Sequence, residues 1–363
     1  MNLKSRVKNY IVHMIDDVLE KRSDIFSGLK YDRLFFFVDK NVHKYYSEPL
    51  GQFIENDFSL LIEARETNKD YLNLAQYYQA LIESGFTRND ILVTLGGGIL
   101  QDISGFIAST LYRGIRWIFF PTTLLAQADS CIGSKTSINF GEAKNLVGSF
   151  YPPDVIYIDV GFNGTLTDKY FYSGLGEIIK FHLMSDAEGY QSLREYLASS
   201  GLRNRTILKE IIYSTLLIKK SYFEQDEFDT GRRNLLNYGH CFGHALESAS
   251  NFAVSHGEAV LIGMGFANLI AQKRGLMSRE RSEELESLFR KYYPRFDLAR
   301  IPVDDIIWYM KRDKKRVGQD LTMILSRDIG EHFKHDDIKE AEIRESYGEF
   351  VKTYPVYQEE FSK

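Results

Sequence analysis

The segment from Ile91 to Asp102 constrains the fold more than any other part of the chain. The apolar run at residues 91–95 is typical of a buried strand, three glycines follow it, and the helical pattern ISGFIASTLY comes next. A glycine turn between a strand and a helix lets the backbone approach a phosphate and point free N–H groups at it. The order of strand, glycine turn and helix therefore indicates nucleotide binding. Because the motif GGGILQD differs from G-x-G-x-x-G, a purely structural tight turn remains an alternative.

Length and composition favour a globular protein of two domains. The chain has 363 residues, of which 44% are hydrophobic, and a net charge of -5 with both signs mixed. This balance favours a small-molecule substrate over nucleic acid or an anionic membrane. The N-terminus lacks the apolar core of a signal peptide, and no run nears the roughly 20 residues of a membrane span, which predicts a cytoplasmic protein. Cys131 and Cys241 have no C-x-x-C spacing, so we expect both to be reduced and packed.

The two halves of the sequence differ in their periodicity. From about residue 30 to 165, β-rich runs such as LFFFVD and WIFFP alternate with amphipathic segments, the pattern of βαβ units on a mainly parallel sheet. From about residue 168, long helical patterns dominate until a short hairpin predicted at LTMILSRDIG. We therefore expect an α/β domain over residues 1–167 and a helical domain over 168–363, with the site in a cleft between them.

Potential metal ligands concentrate in the helical half. Glu177, His240, His244, His256 and Glu258 lie there, and the three histidines fall within seventeen positions of a chain that has eight. A set of three ligands made of neutral imidazoles and a carboxylate suits a catalytic Zn²⁺ that polarises a substrate oxygen. Scattered helical histidines are, however, more often ordinary packed or surface residues. His240 and His244 are four residues apart and share one helix face, and this spacing does not choose between them.

Two further clusters are polar and basic. One contains Asp129, Lys135, Lys144 and Asn145, and its sequence GSKT resembles a phosphate-gripping loop without being a P-loop, so ATP hydrolysis is not supported. The alternative is a loop with solvated charges.

The second basic cluster, Lys219, Arg233 and Asn237, could hold a substrate carboxylate through the planar Arg fork. Pairing of Lys219 or Arg233 with the nearby acidic residues is an equal alternative on sequence alone. Those acidic residues are Asp226, Glu227 and Asp229.

A series of linked motifs resembles the 3-dehydroquinate synthase family of sugar phosphate cyclases. The resemblance covers roughly residues 35 to 330. The motifs, in family order, are GGGILQDISGFIASTLYRGIRW, PTTLLAQADSCIGSKTSIN, KNLVGSFYPP, GLGEIIK, DEFDTGRRNLLNYGHCFGHALE, HGEAV and RDKK. The resemblance implies a Rossmann-like N-terminal domain that binds NAD⁺, an all-α C-terminal domain that binds Zn²⁺ or Co²⁺, and a homodimer. It also implies a phosphate-eliminating lyase of the shikimate pathway, which serves aromatic amino acid biosynthesis.

The resemblance implies a role for each matching polar residue. It makes Glu177, His240 and His256 the metal ligands and gives His244 to the phosphate, which resolves the choice left open by spacing. The implied phosphate contacts are Lys135, Asn145, Asn237, His244 and, from RDKK, Lys315 rather than Lys314. Arg113 resembles an arginine that reaches the phosphate from the partner subunit. The implied carboxylate pair is Lys219 and Arg233, and Asp129 and Lys180 match further polar active-site positions.

The family pattern also implies which residues contact NAD⁺. On the adenosine side these are Asp39, Asn41, Glu66 and Lys69. The pyrophosphate turn corresponds to Gly97, Gly98 and Asp102. The remaining contacts correspond to Thr122, Thr123, Lys144, Phe162 and Thr165.

Several departures from the family pattern bear on the substrate. Ser134 stands where the family has glycine, Gln101 stands in the glycine turn, and Phe181-His182 replaces Tyr-Gly. Side chains added to glycine turns can reshape a pocket. Enzymes of the 2-epi-5-epi-valiolone synthase or 2-deoxy-scyllo-inosose synthase type are therefore alternatives, although Lys219, Arg233 and Asn237 favour a keto-acid phosphate. Outside this activity, the alternatives are a metal-dependent polyol dehydrogenase and a catalytically silent relative. For His182 two roles are open: it lines the pocket or, as we prefer, it packs in the protein interior.

Overall fold

The structure is a computed structural model that describes residues 1–141, 143–199, 201–312 and 320–355. The predicted Lys315, with Lys314, lies outside the described residues. The strands are β1 (Asn2–Leu3), β2 (Tyr10–Met14), β3 (Leu34–Asp39), β4 (Phe58–Ile62), β5 (Ile91–Gly96), β6 (Arg116–Pro121), β7 (Ile138–Phe140), β8 (Ala143–Val147), β9 (Val155–Ile158), β10 (Leu321–Asp328) and β11 (Glu331–Ile338).

Helices dominate the second half of the chain, as its periodicity predicts. Those of the first half are α1 (Arg22–Phe26), α2 (Lys40–Tyr45), α3 (Ser47–Ile54), α4 (Leu74–Glu83) and α5 (Gly98–Thr110). Those of the second half are α6 (Asp168–Leu183), α7 (Ala187–Ala198), α8 (Arg205–Phe223), α9 (His240–Ala249), α10 (His256–Lys273), α11 (Arg279–Phe289), α12 (Val303–Lys311) and α13 (Glu340–Thr353). Within the described residues, no helix has the length and apolar character needed to cross a bilayer.

The chain divides into two compact units. The first comprises Met1–Thr167 together with Gly201–Asp229, and the second comprises the described parts of Asp168–Ser200 and Thr230–Lys363. Helix α8 therefore belongs to the first unit although it follows α6 and α7 in sequence.

A mainly parallel sheet organises the first unit, which confirms the α/β prediction. In the part of the chain described, its order is β1-β2-β9-β6-β5-β3-β4, and only β1 runs antiparallel to its neighbour. Every residue of β3 and β5 is buried, which explains why both strands are apolar runs without alternation. The chain leaves β3 toward β4 and leaves β5 toward β6 on the opposite side. The carboxyl ends of β3 and β5 therefore flank the crevice where α/β sheets bind ligands.

Aromatic side chains fill one face of this sheet. Phe36, Phe53 and Phe120 are fully buried, and Phe53 lies edge-on to both other rings at centroid distances of 6.0 and 5.6 Å. Edge-to-face contact is the favourable geometry for such rings. This core gives the strand ends that carry the glycine turn a rigid support.

Backbone-to-backbone packing positions three helices of the second unit. A Cβ atom on Gly257 would overlap the carbonyl oxygen of Ser173, and one on Gly176 would overlap that of Gly257. Helix α10 therefore meets α6 with no side chain between them. A Cβ on Gly263 would likewise overlap the carbonyl oxygen of Gly239, just before α9. These contacts bring α6, α9 and α10 close together.

The predicted hairpin near the C-terminus is present. Strands β10 and β11 pair antiparallel, with Ile324 opposite Lys334 and Leu325 opposite Phe333. Gly330, in the turn, has φ +75°, a left-handed conformation that glycine adopts without steric cost.

Candidate active site

Four predicted ligand residues converge in the second unit. Glu177 lies on α6, and His240 and His256 are the first residues of α9 and α10. Glu177 Oε1 lies 3.5 Å from His240 Nε2 and 3.3 Å from His256 Nε2. The side chains of His240, His244 and His256 each offer a nitrogen within 4.8 Å of the others. Residues distant in sequence thus form one compact ligand cluster.

Hydrogen bonds orient both imidazoles that face Glu177. His240 Nδ1 lies 3.1 Å from the Tyr238 carbonyl oxygen, and His256 Nδ1 lies 3.2 Å from Glu247 Oε2. A carbonyl or carboxylate oxygen only accepts, so each Nδ1 carries a proton, and in the neutral ring each Nε2 is an acceptor. In that neutral form, both Nε2 lone pairs face a carboxylate oxygen that also only accepts. Outer hydrogen bonds of this kind are typical of metal-binding histidines.

The carboxylate between these rings is built to meet a cation. Glu177 is fully buried, and neither of its oxygens accepts a well-aligned hydrogen bond from the described residues. Burial would raise the pKa of Glu177, but Lys180, with Nζ 2.5 Å from Oε2, and His256 lower it to about 2. Glu177 Oε1 is therefore a buried, charged oxygen that faces two imidazole nitrogens, a position that suits a metal ion.

The protonation of the imidazoles agrees with this interpretation. Burial lowers the pKa of His240 well below its ordinary value and keeps the ring neutral, the form that binds metal. Burial would also lower the pKa of His256, but the carboxylates of Glu177 and Glu247 raise it to about 10. These two carboxylates thus favour positive charge at His256, and a cation on Nε2 supplies the same charge as a proton there. The donor set of imidazole nitrogens and a carboxylate oxygen suits Zn²⁺ or Co²⁺.

Glu258, a further potential ligand, has a different role. Its carboxylate accepts hydrogen bonds from the Ser255 backbone at 3.0 Å and the Ser255 hydroxyl at 2.5 Å, and so forms the capping box of α10. The cap fixes the start of α10, where His256 lies.

His182 is fully buried with Nδ1 2.8 Å from the Gly189 carbonyl oxygen, an environment typical of a packed histidine.

A cavity adjoins the ligand cluster within the second unit. Its volume is about 150 Å³, and Asn237, His240 and His244 are among its lining residues. Asn237 Nδ2 donates to the Asn234 carbonyl oxygen at 2.7 Å, which orients the amide. The predicted phosphate residues Asn237 and His244 therefore share a cavity with a predicted metal ligand. Arg233 lies in the same 3₁₀ segment and is buried.

The carboxyl edge of the sheet collects half of the predicted cofactor residues. Asp39 ends β3, Gly97 precedes α5 after β5, and Thr122 and Thr123 follow β6. Asp39 accepts a hydrogen bond from the Asn41 backbone at 2.8 Å, and burial raises its pKa. A Cβ on Gly97 would lie 2.9 Å from Thr123 Cγ2, so the absence of a side chain there keeps the turn tight. Gly98 opens α5.

A polar network around the buried Lys69 links it to three more predicted residues. Lys69 Nζ donates to Asp102 Oδ2 and to Asn145 Oδ1, both at 2.9 Å, and lies 3.5 Å from Glu66 Oε1. Burial would lower the pKa of Lys69, but Asp102 and Glu66 raise it. Asn139 donates to Glu66 Oε1 at 2.9 Å and extends the network. Family resemblance divides these residues between cofactor and phosphate, whereas the structure joins them.

The phosphate-like loop is bound to acidic residues within the first unit. Lys135 Nζ lies 2.6 Å from Asp229 Oδ2, and the Ser134 hydroxyl donates to Glu227 Oε1 at 2.8 Å. Lys219 itself lies against a different carboxylate: its Nζ is 2.7 Å from Asp129 Oδ1. Helix α8 places Lys219 against the segment that contains Asp129.

The remaining predicted residues are dispersed. Phe162 packs against Tyr46 at a centroid distance of 5.1 Å, Thr165 Oγ1 lies 3.2 Å from the Tyr46 hydroxyl, and Lys144 lies in β8. Arg113 is exposed after the end of α5, opposite the end at which the glycine turn begins. The length of α5 therefore separates Arg113 from the glycine turn of the same chain.

Sequence reasoning missed the residue that orients His256. Glu247 lies on α9 seven residues after His240 and three after His244, so the three share one helix face. This spacing was a usable signal. The role of the Tyr238 carbonyl oxygen had no such signal, because any residue supplies a carbonyl.

Comparison with solved structures defines the class of fold. The 2-epi-5-epi-valiolone synthase of Streptomyces hygroscopicus subsp. jinggangensis 5008, with NAD⁺ and Zn²⁺ bound, matches with a TM-score of 0.85 and 27% identity over 96% of this chain and 98% of that chain. A 2-deoxy-scyllo-inosose synthase complexed with carbaglucose-6-phosphate, NAD⁺ and Co²⁺ matches with a TM-score of 0.85 and 24% identity over 96% of this chain and 99% of that chain. The fold is that of the dehydroquinate synthase-like cyclases.

Comparison of sequences specifies the family. Residues 59–173 match the family described as 3-dehydroquinate synthase N-terminal, and residues 174–316 match 3-dehydroquinate synthase C-terminal. The 3-dehydroquinate synthase of Clostridium acetobutylicum is 35% identical over 339 residues, which cover 92% of this chain and 93% of the relative. The chain belongs to the 3-dehydroquinate synthase family, and it is an enzyme of this cyclase type.

Proposed function

We propose that the chain uses NAD⁺ and a divalent metal ion to cyclise a sugar phosphate with elimination of phosphate. The preferred reaction converts 3-deoxy-arabino-heptulosonate 7-phosphate to 3-dehydroquinate in the shikimate pathway. The name of the Clostridium relative and the NAD⁺ and Zn²⁺ of the valiolone synthase support this proposal. The observation that carries it is the convergence of Glu177 Oε1 with the Nε2 atoms of His240 and His256.

The proposed roles follow the chemistry of each side chain. Glu177, His240 and His256 would hold Zn²⁺ or Co²⁺, and the carboxyl edge of the sheet would hold NAD⁺. When bound, the ion polarises a substrate oxygen and NAD⁺ takes up and returns a hydride, so the cofactor ends unchanged. Asn237 and His244 would donate hydrogen bonds to the phosphate, and the family resemblance assigns Lys135 and Asn145 to the same group. The departing phosphate can accept the substrate proton, which removes the need for a strong protein base.

Lys219 and Arg233 are the proposed carboxylate contacts. An arginine fork binds a carboxylate through two parallel hydrogen bonds, and the ammonium of Lys219 adds charge. Arg233 is buried, so a carboxylate there would meet it away from bulk water. These two residues favour a keto-acid phosphate over a neutral sugar phosphate.

A second candidate is the cyclisation of a sugar phosphate that has no carboxylate. Lys219 already lies 2.7 Å from Asp129 Oδ1, so its charge is balanced within the protein. The structural match to 2-epi-5-epi-valiolone synthase at 27% identity also favours this candidate. A polyol dehydrogenase would instead accumulate free NADH, a behaviour that the family match does not favour.

One experiment separates the two substrates. The protein is supplied with NAD⁺ and Zn²⁺, and 3-deoxy-arabino-heptulosonate 7-phosphate and sedoheptulose 7-phosphate are offered in parallel while phosphate release is measured. Release from the first substrate alone supports the preferred reaction, and release from the second alone supports the second candidate. Release from neither, with NADH accumulating on a simple polyol, contradicts both.

We further propose that the enzyme is a cytoplasmic homodimer in which Arg113 reaches the phosphate bound by the partner subunit. The exposed position of Arg113 after α5 supports a role across subunits. Mixing Arg113→Ala subunits with subunits inactivated at His256 tests this arrangement. Activity above that of either parent supports shared sites, and activity equal to theirs contradicts them.

A further inference from the structure

The hairpin β10–β11 forms one wall of the cavity beside the ligand cluster. Asn237, His240 and His244 line the cavity from the segment around the start of α9, and Thr322 and Lys334 line it from the hairpin. The other hairpin residues of the lining are Leu321, Met323 and Ile324. The hairpin wall is therefore apolar except at two side chains that can donate hydrogen bonds.

The charge of the lining is concentrated at Lys334. Among the described lining residues, Lys334 alone is a lysine or arginine. Asn237 and Thr322 offer uncharged polar groups. A phosphate group carries close to two negative charges at neutral pH, so a cationic side chain in the lining favours its binding. Lys334 supplies a permanent positive charge of this kind from the hairpin wall.

A carboxylate on the same hairpin holds Lys334 in place. Asp336 Oδ1 lies 3.1 Å from Lys334 Nζ and accepts a hydrogen bond from the Thr322 hydroxyl at 2.8 Å. Strand pairing places Lys334 opposite Ile324, so the cation lies on the strand next to the apolar part of the wall. An ammonium has three N–H donors, and one contact with Asp336 leaves it the capacity to bind an anion as well.

We propose that Lys334 contacts the phosphate group of the substrate and is a specificity-determining residue for phosphorylated sugars. The inference takes the identity of the substrate from the proposed function, on which it rests. It takes the position of the phosphate from the cavity. Thr322 and Asp336 are positioning residues, because they act on the substrate through Lys334. The cavity thereby selects a sugar with an anionic end over the corresponding free sugar.

The first test measures binding of inorganic phosphate to the protein loaded with NAD⁺ and Zn²⁺ by isothermal titration calorimetry. Lys334→Gln weakens phosphate binding about tenfold, the usual size of one hydrogen bond between charged groups, and Lys334→Arg retains most of the affinity. The matched control is Lys339→Gln, which removes a lysine paired with Asp320 at the end of the same hairpin and outside the cavity lining. Equal phosphate affinity in the Lys334→Gln and Lys339→Gln proteins overturns the inference.

A second variant separates direct contact from support of the hairpin. Asp336→Asn removes the same ion pair as Lys334→Gln but leaves the ammonium in place. Direct contact predicts that Asp336→Asn keeps or strengthens phosphate binding, whereas a purely structural ion pair predicts equal loss in both variants. Thermal unfolding of each variant shows whether the hairpin remains folded.

Kinetics distinguish failure of this inference from failure of the proposed function. With the sugar phosphate that the wild type accepts, Lys334→Gln raises KM about tenfold and changes kcat little. If the wild type releases phosphate from neither sugar but Lys334→Gln still weakens phosphate binding, the proposed function fails and the anion site stands. If the wild type turns over normally and Lys334→Gln leaves both KM and phosphate affinity unchanged, only the inference fails.

Discussion

The network around Lys69 and the cluster around Glu177 show two ways of burying charge. In the first, Lys69 donates to both Asp102 and Asn145, so opposite charges and hydrogen bonds compensate each other. In the second, a buried carboxylate without a well-aligned hydrogen-bond donor faces two imidazole nitrogens. The first region keeps its shape through its own contacts. The second pairs Glu177 Oε2 with Lys180 and leaves Oε1 facing the two imidazoles, the arrangement expected of an ion-binding site.

The largest expected effect comes from removing one of the imidazoles of the cluster. His256→Ala abolishes turnover, by at least about 10³-fold, because the remaining side chains no longer hold the ion that polarises the substrate. The zinc content of the purified protein, measured by mass spectrometry, falls in parallel. His335→Ala, which removes a histidine outside the cluster, retains both. Full wild-type activity in a metal-free preparation would contradict the assignment.

Breaking the self-compensated network should cost stability instead. Lys69→Met leaves Asp102 largely buried without its cation, and the free energy of unfolding falls by about 3 kcal/mol. Urea unfolding measures this change. Lys209→Met is the control, because Lys209 forms a more exposed pair with Asp16, and its loss changes stability by less than about 1 kcal/mol. Equal effects of the two substitutions would show that the network is not a distinct structural element.

A smaller effect is expected at the outer shell of the cluster. Glu247→Gln weakens the orientation and basicity of His256, and zinc affinity falls roughly 10- to 100-fold. Competition with a fluorescent zinc chelator measures the affinity. Glu283→Gln, which removes a surface partner of Arg279, leaves zinc affinity unchanged. Unchanged affinity in Glu247→Gln would mean that the 3.2 Å contact with His256 does not tune the ligand.

The smallest effect concerns Ser134, where the first unit combines strain with a compensating contact. Ser134 has φ +64°, and its hydroxyl donates to Glu227. Ser134→Ala keeps the left-handed backbone but loses the hydrogen bond, and stability falls by about 1 to 2 kcal/mol. Ser134→Gly loses the same bond but removes the strain, so we expect a change within about 1 kcal/mol by urea unfolding. If the glycine variant is the less stable of the two, backbone strain at this position is negligible.

The sequence predicts the central strands β3 and β5 well because they are short and almost wholly apolar. LFFFVD and ILVTLG are buried at every position, so burial and β propensity agree. Placement of α8 in the first unit could not be predicted, because helical periodicity shows a buried face but not the surface that it packs against. That placement decides that Lys219 meets Asp129.

The candidate site is predictable in composition but only partly in geometry. Histidine spacing suggests that His240 and His244 share a face, and only family resemblance separates their roles. The pairing of Lys334 with Asp336 depends on the rotamers of a hairpin that sequence locates but does not detail. Contacts made by backbone atoms, such as that of the Tyr238 carbonyl oxygen with His240, carry no sequence signature.

The glycine contacts among α6, α9 and α10 have a consequence for how this enzyme can change. Since Gly176 and Gly257 have no room for even one methyl group, a mutation there would push apart the helices that carry Glu177 and His256. Mutations near the candidate ligand cluster are therefore constrained even at residues that possess no ligand atom. Efforts to retune its chemistry should vary the cavity wall and leave these glycines untouched.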